Sequence, residues 1–111
     1  MSLDKRFDVL FLDEARDFLL GLSKEEQAEI LADIRTATTL INSTLFKKLN
    51  KDIWEFRSKY NGRQFRMLAF WDKTQKAMVI ATHGFVKKTQ KTPQKEIERA
   101  EQIMKNYYKN I

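Results

Sequence analysis

Two strand-like segments joined by Asn61-Gly62 constrain the fold of this chain more than any other feature. Apolar and polar side chains alternate from Ile53 to Tyr60, and a second apolar-rich segment follows from Phe65 to Trp71, which is typical of paired β-strands. Asn-Gly favours a tight type I′ turn, because both of its central residues need positive φ. A two-residue loop then sets the register, so that Arg57 lies opposite Arg66 on one face of the sheet, here called the arginine face.

The residues before this hairpin predict a strand and two helices. The apolar run from Arg6 to Leu12 is a candidate first strand. A short helix follows, and Gly21 can end it. Ser23 and Glu26 have the spacing of a capping box, so a second helix begins there and forms a helical hairpin with the first. A connector around Phe46 then leads into the strands. The apolar stripes expected at helical spacing are Leu12, Ala15, Leu19 and Leu22 in the first helix, and Ala28, Leu31, Ile34, Thr38 and Ile41 in the second.

The residues after the hairpin predict one more strand and a final helix. Asp72 to Gln75 makes a second turn, and the last strand runs from Ala77 to Phe85. If that turn is also a two-residue loop, His83 lies near Gln64 on the arginine face. Thr92-Pro93 starts the final helix, with the threonine as its cap and the proline at its first position. The packing stripe expected in this helix is Ile97, Ala100, Met104 and Tyr107.

The order of these elements predicts one α+β domain over residues 1–111, with a strand, a helical hairpin, three antiparallel strands in one small sheet and a C-terminal helix. The chain has no cysteine and one histidine, which excludes disulfides and a thiolate nucleophile and argues against a structural zinc. No apolar run approaches the roughly 20 residues of a membrane span, and acidic residues interrupt the N-terminal apolar run, unlike a signal peptide. We therefore expect a cytoplasmic protein.

Charge is divided unevenly along the chain. Residues 1–46 hold 5 Lys/Arg and 9 Asp/Glu, whereas residues 47–111 hold 16 Lys/Arg and 6 Asp/Glu, so that balances of −4 and +10 make the net charge of +6. Chance clustering on solvated faces would also give such a split. An anion-binding half beside an acidic half is the alternative that we favour.

The opposed arginines are the strongest candidates for chemistry. Like charges placed directly opposite each other destabilise a strand pair, so Arg57 and Arg66 indicate a bound anion, and guanidinium groups match phosphate oxygens in bidentate geometry. Glu55 lies on the same face and can either neutralise an arginine structurally or accept a proton. His83 suits proton transfer near neutral pH, although a lone histidine on a strand is commonly structural. Lys87 follows at the end of the last strand, close to a helix start whose dipole favours anions.

Three short motifs resemble a known group of proteins. They read IWEFR, then NGRQFR, then HGFVKKTQKTP before a helix that contains EIERA. This pattern is similar to the phage-derived branch of the RelE/HigB toxins, in the RelE/ParE superfamily of type II toxin–antitoxin systems, and it extends over most of the chain. The resemblance implies a RelE-like fold and a ribosome-dependent mRNA interferase. Such a toxin cleaves RNA without a metal or other cofactor, by attack of a 2′-hydroxyl on the adjacent phosphate.

The resemblance also implies roles for individual residues. Arg57 and Arg66 would clamp the scissile phosphate, and Lys87 would hold the backbone or stabilise the transition state. His83 or Glu55 would be the general base, with His83 also a possible acid. We expect further RNA contacts from Lys47, Lys48, Lys59, Arg63, Lys88 and Lys91.

The partners expected for such a toxin are mRNA on the ribosome and a cognate helix-turn-helix antitoxin. No membrane partner is expected, and DNA would be reached only through the antitoxin complex. Two other functions stay open at this stage. The same fold serves ParE-like toxins that target gyrase and cleave no RNA, and a plain RNA-binding module would share the basic face.

Overall fold

The computed structural model describes residues 4–111, which form three helices and five strands. In chain order they are β1 (Asp8–Phe11), α1 (Asp13–Leu20), α2 (Lys24–Thr39), β2 (Phe46–Lys48), β3 (Ile53–Tyr60), β4 (Arg63–Trp71), β5 (Met78–Lys87) and α3 (Gln94–Lys109).

The five strands make one mixed sheet in the order β1-β5-β4-β3-β2. β1 runs parallel to β5, and the other neighbours are antiparallel. The predicted α+β class and element order are confirmed. The sheet has one strand more than expected, because the segment predicted as a connector forms β2 at its edge. Phe46 explains the extra strand, since its buried ring stacks on Phe56 at 4.3 Å and on Trp54 at 4.8 Å between centroids.

The helices cover the two faces of the sheet unequally. On one face α1 packs against β5 and α2 packs against β3, around a core that includes Phe7, Phe56 and Met67. On the arginine face α3 covers a smaller cluster around Leu68 and Phe70. The single helix leaves the far end of the arginine face, toward the Asn61-Gly62 turn, without a helical cover.

The first hairpin has the predicted geometry. Asn61 and Gly62 have φ values of 52° and 82°, as a type I′ turn requires. Arg57 pairs with Arg66, and Glu55 pairs with Leu68. The register inferred from the turn is therefore confirmed.

The second hairpin differs from the prediction in length and register. Its turn is longer than two residues and β5 begins only at Met78, because the side chain of Asp72 holds the turn open by accepting hydrogen bonds from Thr74 and Gln75. His83 consequently pairs with Leu68 rather than lying near Gln64, which pairs with Lys87. A bulge between Leu68 and Ala69 absorbs one residue, and it returns His83 to the arginine face as expected.

The helix starts and ends match the sequence signals only in part. The capping box of Ser23 and Glu26 is present, and Gly21 caps α1. The stripe predicted for α2 is confirmed at Ile34 and Thr38 and is wrong at its other three positions, because the helix turns a partly different face to the sheet. Ala28 and Leu31 are exposed and Ile41 lies beyond the helix, 88% exposed. The buried residues of α2 are Glu26, Ile30, Ile34, Ala37 and Thr38.

The final helix also begins one step later than predicted. Pro93 is the N-terminal cap residue, and Thr92 makes no cap hydrogen bond to the helix. Its hydroxyl donates instead to the carboxylate of Glu55, a stronger acceptor than a neutral oxygen. The predicted packing stripe is confirmed, since Ala100 is fully buried and the other three residues contact the cluster on the arginine face.

Candidate anion-binding groove

An open groove of about 920 Å³ lies where the tip of the β3–β4 hairpin meets the end of β5. We call it the basic groove, because four of its side chains are cationic and none is acidic. The strands position these side chains by register, since Gln64 at its centre pairs with Lys87. The lining residues are Arg57, Gly62, Arg63, Gln64, Val86, Lys87, Lys88, Thr89 and Gln90.

A buried carboxylate bridges the two arginines behind this groove. The Oε1 atom of Glu55 lies 3.5 Å from Nε of Arg66, and its Oε2 atom lies 3.8 Å from Nε of Arg57. The side chains of Glu55 and Arg66 are only 4% and 3% exposed, whereas that of Arg57 is 31% exposed. Of the two roles predicted for Glu55, the structure contains the structural one. Its carboxylate offsets the repulsion between the two arginines without a bound anion.

Arg66 is held from several sides but is not fully satisfied. Its guanidinium donates to the carbonyl of Phe65 at 2.9 Å and to the side-chain oxygen of Gln64 at 3.0 Å. Burial lowers the pKa of Arg66, the charge of Glu55 raises it, and the charge of Arg57 lowers it. The Nε atoms of Arg66 and Arg57 are both buried without a hydrogen-bond partner. Two guanidiniums thus share one carboxylate and keep donors to spare.

Lys87 adds to this excess of positive charge. Burial lowers its pKa, and the charges of Arg66, Arg57 and Lys47 lower it further against the opposing effect of Glu55. No carboxylate lies within 4.0 Å of its amine in the described part of the chain. Among residues 4–111, Glu55 offsets the paired arginines and Glu26 pairs with Arg63, so the charges of Lys87 and Lys88 have no carboxylate within 4.0 Å. This excess of positive charge favours the binding of an anion.

A smaller pocket of about 430 Å³ adjoins the basic groove and shares Arg57 and Gln64 with it. This side pocket lies along the outer edge of β3, where β2 pairs only with Trp54–Phe56. The backbone amide of Arg57 donates to the carbonyl of Leu45 at 2.8 Å. Beyond that bond, no strand within residues 4–111 pairs with the outer edge of β3. The residues that line it are Asp33, Thr44, Leu45, Arg57, Ser58, Lys59, Gln64 and Arg66.

His83 is on the arginine face but outside both cavities. Its Nε2 atom lies 3.0 Å from Oε1 of Glu96, and its Nδ1 atom lies 3.1 Å from the hydroxyl of Thr82. Burial lowers the pKa of His83, while the hydrogen bond and charge of Glu96 raise it. Both ring nitrogens are occupied, and the ring borders a separate pocket with Glu14 and Arg99. The structure therefore places His83 apart from the arginines.

The other residues expected to bind RNA fall into three groups. Lys88 and Arg63 line the basic groove, although Arg63 also pairs with Glu26 at 2.6 Å. Lys59 lines the side pocket. Three of the expected lysines line neither cavity. In the sheet register Lys47 lies opposite Glu55 on the arginine face, and Lys48 lies opposite Trp54 on the other face. Lys91 is exposed in the loop before α3.

Sequence reasoning missed several polar residues at the groove. Gln64, Thr89 and Gln90 line it, and Asp33 reaches the side pocket from α2. Gln64 could have been found, because its register beside Arg66 follows from the turn. No local pattern identifies Asp33, since only the packing of α2 against β3 brings it there.

A comparison with protein families identifies one family. The model of the family described as phage-derived protein Gp49-like (DUF891) matches residues 17–105. No curated protein matches the chain. Within residues 4–111 no group of three or more acidic or histidine side chains is arranged to hold a metal ion. No helix in that range is long and apolar enough to cross a membrane.

Proposed function

The chain belongs to the phage-derived Gp49-like family, a toxin-like family of the RelE/HigB group, and we propose that it is a ribosome-dependent mRNA interferase. In this proposal the basic groove binds the scissile phosphate of the RNA. The protein acts as the toxin of a type II pair, and a small helix-turn-helix protein neutralises it.

One observation carries the proposal: the basic groove is open and has more cationic side chains than carboxylates to neutralise them. Arg57 on β3 and Lys87 on β5 border the groove from the two sides of β4. Among residues 4–111, Glu55 is the one acidic side chain within 4.0 Å of Arg57 and Arg66. A phosphate placed there accepts hydrogen bonds from the guanidinium of Arg57, whose side chain is partly exposed, and is attracted by the charge of Lys87. Because the groove is large and open to solvent, an RNA phosphate suits it better than a small anion that needs an enclosed site.

The chemistry that fits this groove is transesterification. The 2′-hydroxyl gives its proton to solvent water as its oxygen attacks phosphorus, the bond from phosphorus to the 5′-oxygen breaks, and the products are a 2′,3′-cyclic phosphate and a 5′-hydroxyl. Arg57 stabilises the negative charge that develops on the phosphoryl oxygens. Lys87, whose pKa is lowered, is suited to give a proton to the leaving 5′-oxygen. Glu55 positions the arginines, because its oxygens are already engaged.

The test is cleavage of mRNA on purified ribosomes, with the 3′ ends of the fragments mapped. Arg57→Ala should slow cleavage by about 100- to 1,000-fold, the effect of removing one donor to a developing oxyanion. Lys76→Ala is the matched control, because Lys76 is exposed in the turn before β5 and lies outside both cavities. Absence of cleavage by the unaltered protein, or equal rates for Arg57→Ala and the control, would refute the proposal.

A second pair of variants separates the two roles of Lys87. Lys87→Arg keeps the positive charge but cannot release a proton near neutral pH. If Lys87 gives a proton to the leaving group, Lys87→Arg should be nearly as slow as Lys87→Ala. If the lysine only supplies charge, the arginine variant should keep most of the rate.

The neutralising partner needs a separate measurement. The proposal expects a small helix-turn-helix protein encoded next to the gene for this chain. Co-expression with that protein should restore growth and yield a stable complex on purification. Growth arrest with intact mRNA and inhibited gyrase would instead identify a toxin of the ParE kind.

A further inference from the structure

The side pocket has a composition that the basic groove lacks. Arg57, Lys59 and Arg66 line it from β3 and β4, and Asp33 lines it from α2. Asp33 has no Lys, Arg or His within 4.0 Å among residues 4–111. The side pocket therefore combines cationic side chains from the sheet with a carboxylate from a helix, whereas the charged residues that line the basic groove are all cationic.

A second observation points to a ligand in this pocket. Arg66 borders it with a side chain that is 3% exposed. Its buried Nε atom lies 3.5 Å from Oε1 of Glu55 but makes no hydrogen bond. A buried donor left unpaired is costly. A ligand acceptor that enters from the side pocket would offset that cost, so the pocket is more than a gap between surface side chains.

The carboxylate limits what can lie beside it. A phosphate at that end would be repelled, and Glu29, one turn earlier on α2, reinforces the negative charge. Its pKa is raised by a hydrogen bond with Asp33, by the charge of Asp33 and by burial, which shows that the two carboxylates are close. The ligand must therefore carry an acceptor or negative charge toward Arg57 and N–H donors toward Asp33.

A nucleotide has this arrangement, and guanine completes it best. Two adjacent N–H groups on one edge, N1–H and the exocyclic N2–H₂, match the two oxygens of a carboxylate. Adenine and cytosine place a donor beside an acceptor on that edge, and uracil places its one donor between two carbonyls. A carboxylate therefore accepts two hydrogen bonds from guanine and at most one from each other base.

We propose that the side pocket binds a guanine base of the RNA and that Asp33 is the residue that selects it. The inference rests on the proposed function, because the phosphate of the same nucleotide lies on Arg57, which the two cavities share. The volume of about 430 Å³ is in the range of small-molecule sites. Asp33 thus determines specificity and takes no part in bond breaking.

The experiment measures binding rather than cleavage. Trinucleotides with 2′-O-methyl groups cannot be cleaved by attack of the 2′-oxygen, so titration of labelled protein with GGG, AAA, CCC and UUU forms reports recognition alone. The unaltered protein should bind the GGG form most tightly. Asp33→Asn should reduce its preference for GGG over UUU by roughly 5- to 150-fold, the range for one bidentate base contact, while the affinity for UUU stays the same or rises as a negative charge is removed.

Asp17→Asn is the matched control, since Asp17 is an exposed aspartate on α1 that lines neither cavity, and it should keep the preference. Equal binding of all four trinucleotides by the unaltered protein, or an unchanged preference in Asp33→Asn, would overturn the inference. The proposed function fails by a different result, the absence of ribosomal cleavage. Cleavage without guanine selection would remove only the role of Asp33.

Discussion

Replacing Glu55 by glutamine tests how the two opposed arginines are tolerated in the folded protein. The substitution keeps the size of the side chain and an oxygen that can accept a hydrogen bond from the Thr92 hydroxyl. It removes the one negative charge that lies within 4.0 Å of Arg57 and Arg66 among residues 4–111. Both Glu55 and Arg66 are almost fully buried, at 4% and 3% side-chain exposure. Removing one partner of such a pair leaves a guanidinium uncompensated in the interior.

The expected loss follows from this burial. Breaking a buried ion pair from one side costs about 3–5 kcal/mol of the free energy of unfolding. The contact with Arg57 adds at most about 1 kcal/mol, since that side chain is partly exposed and solvent screens it. A domain of this size should then melt roughly 12–25 °C lower than the unaltered protein.

Urea denaturation of four proteins measures the effect: the unaltered chain, Glu55→Gln, Arg66→Met and the double variant. We expect the double variant to be more stable than the sum of the single losses predicts, because neutral side chains of similar size then face each other. Inorganic phosphate should stabilise Glu55→Gln more than the unaltered protein, since the unbalanced cations bind it. A loss below about 1 kcal/mol in Glu55→Gln would refute the view that this carboxylate holds the arginines together.

Three further predictions concern the scaffold around the groove. Gly84→Ala should destabilise the protein by about 1–3 kcal/mol in urea denaturation, because a Cβ atom there would lie 2.3 Å from Cδ2 of Phe18, and Phe18→Leu should recover part of that loss. Tyr107→Phe should lower the free energy of unfolding by about 1–2 kcal/mol, since its hydroxyl donates to Asp72 at 2.5 Å and hydrogen bonds to charged groups are strong. His83→Gln should flatten the dependence of stability on pH between 7.5 and 5.5, where the unaltered protein loses stability on acidification.

The sign of the last two effects follows from the pKa shifts. Burial lowers the pKa of His83 below its ordinary value, so the unfolded chain takes up a proton first as the pH falls through about 6.5, and stability is lost from there downward. Burial raises the pKa of Asp72, but hydrogen bonds from Thr74, Tyr107 and Gln75 outweigh it and hold it well below its ordinary value. Its contribution is therefore present above about pH 4 and lost as the pH falls further. Equal pH profiles for His83→Gln and the unaltered protein, no stability change in Tyr107→Phe, or a fully stable Gly84→Ala would each contradict the corresponding prediction.

The sequence predicts those parts of the site that are set by neighbouring residues in the chain. The facing of Arg57 and Arg66 was predictable, because a two-residue turn and an alternating strand set it within a dozen residues. The pairing of His83 was not predictable. It depends on the hydrogen bonds that Asp72 makes in the second turn and on a bulge for which the sequence contains no characteristic residue. The predicted pairing near Gln64 failed for that reason, although the bulge kept the predicted face.

The sequence by itself determined the first hairpin, the capping box of α2, the packing stripe of α3, the basic second half and the resemblance to a toxin family. Each of these depends on neighbours in the chain or on composition, so local physics is sufficient. Only the tertiary structure decided that Thr92 supports Glu55 behind the arginines and that Asp33 of α2 lines the side pocket together with Arg57 and Arg66. These contacts join residues far apart in the chain, and they exist because the sheet and the helices on its two faces must bury their apolar sides against one another.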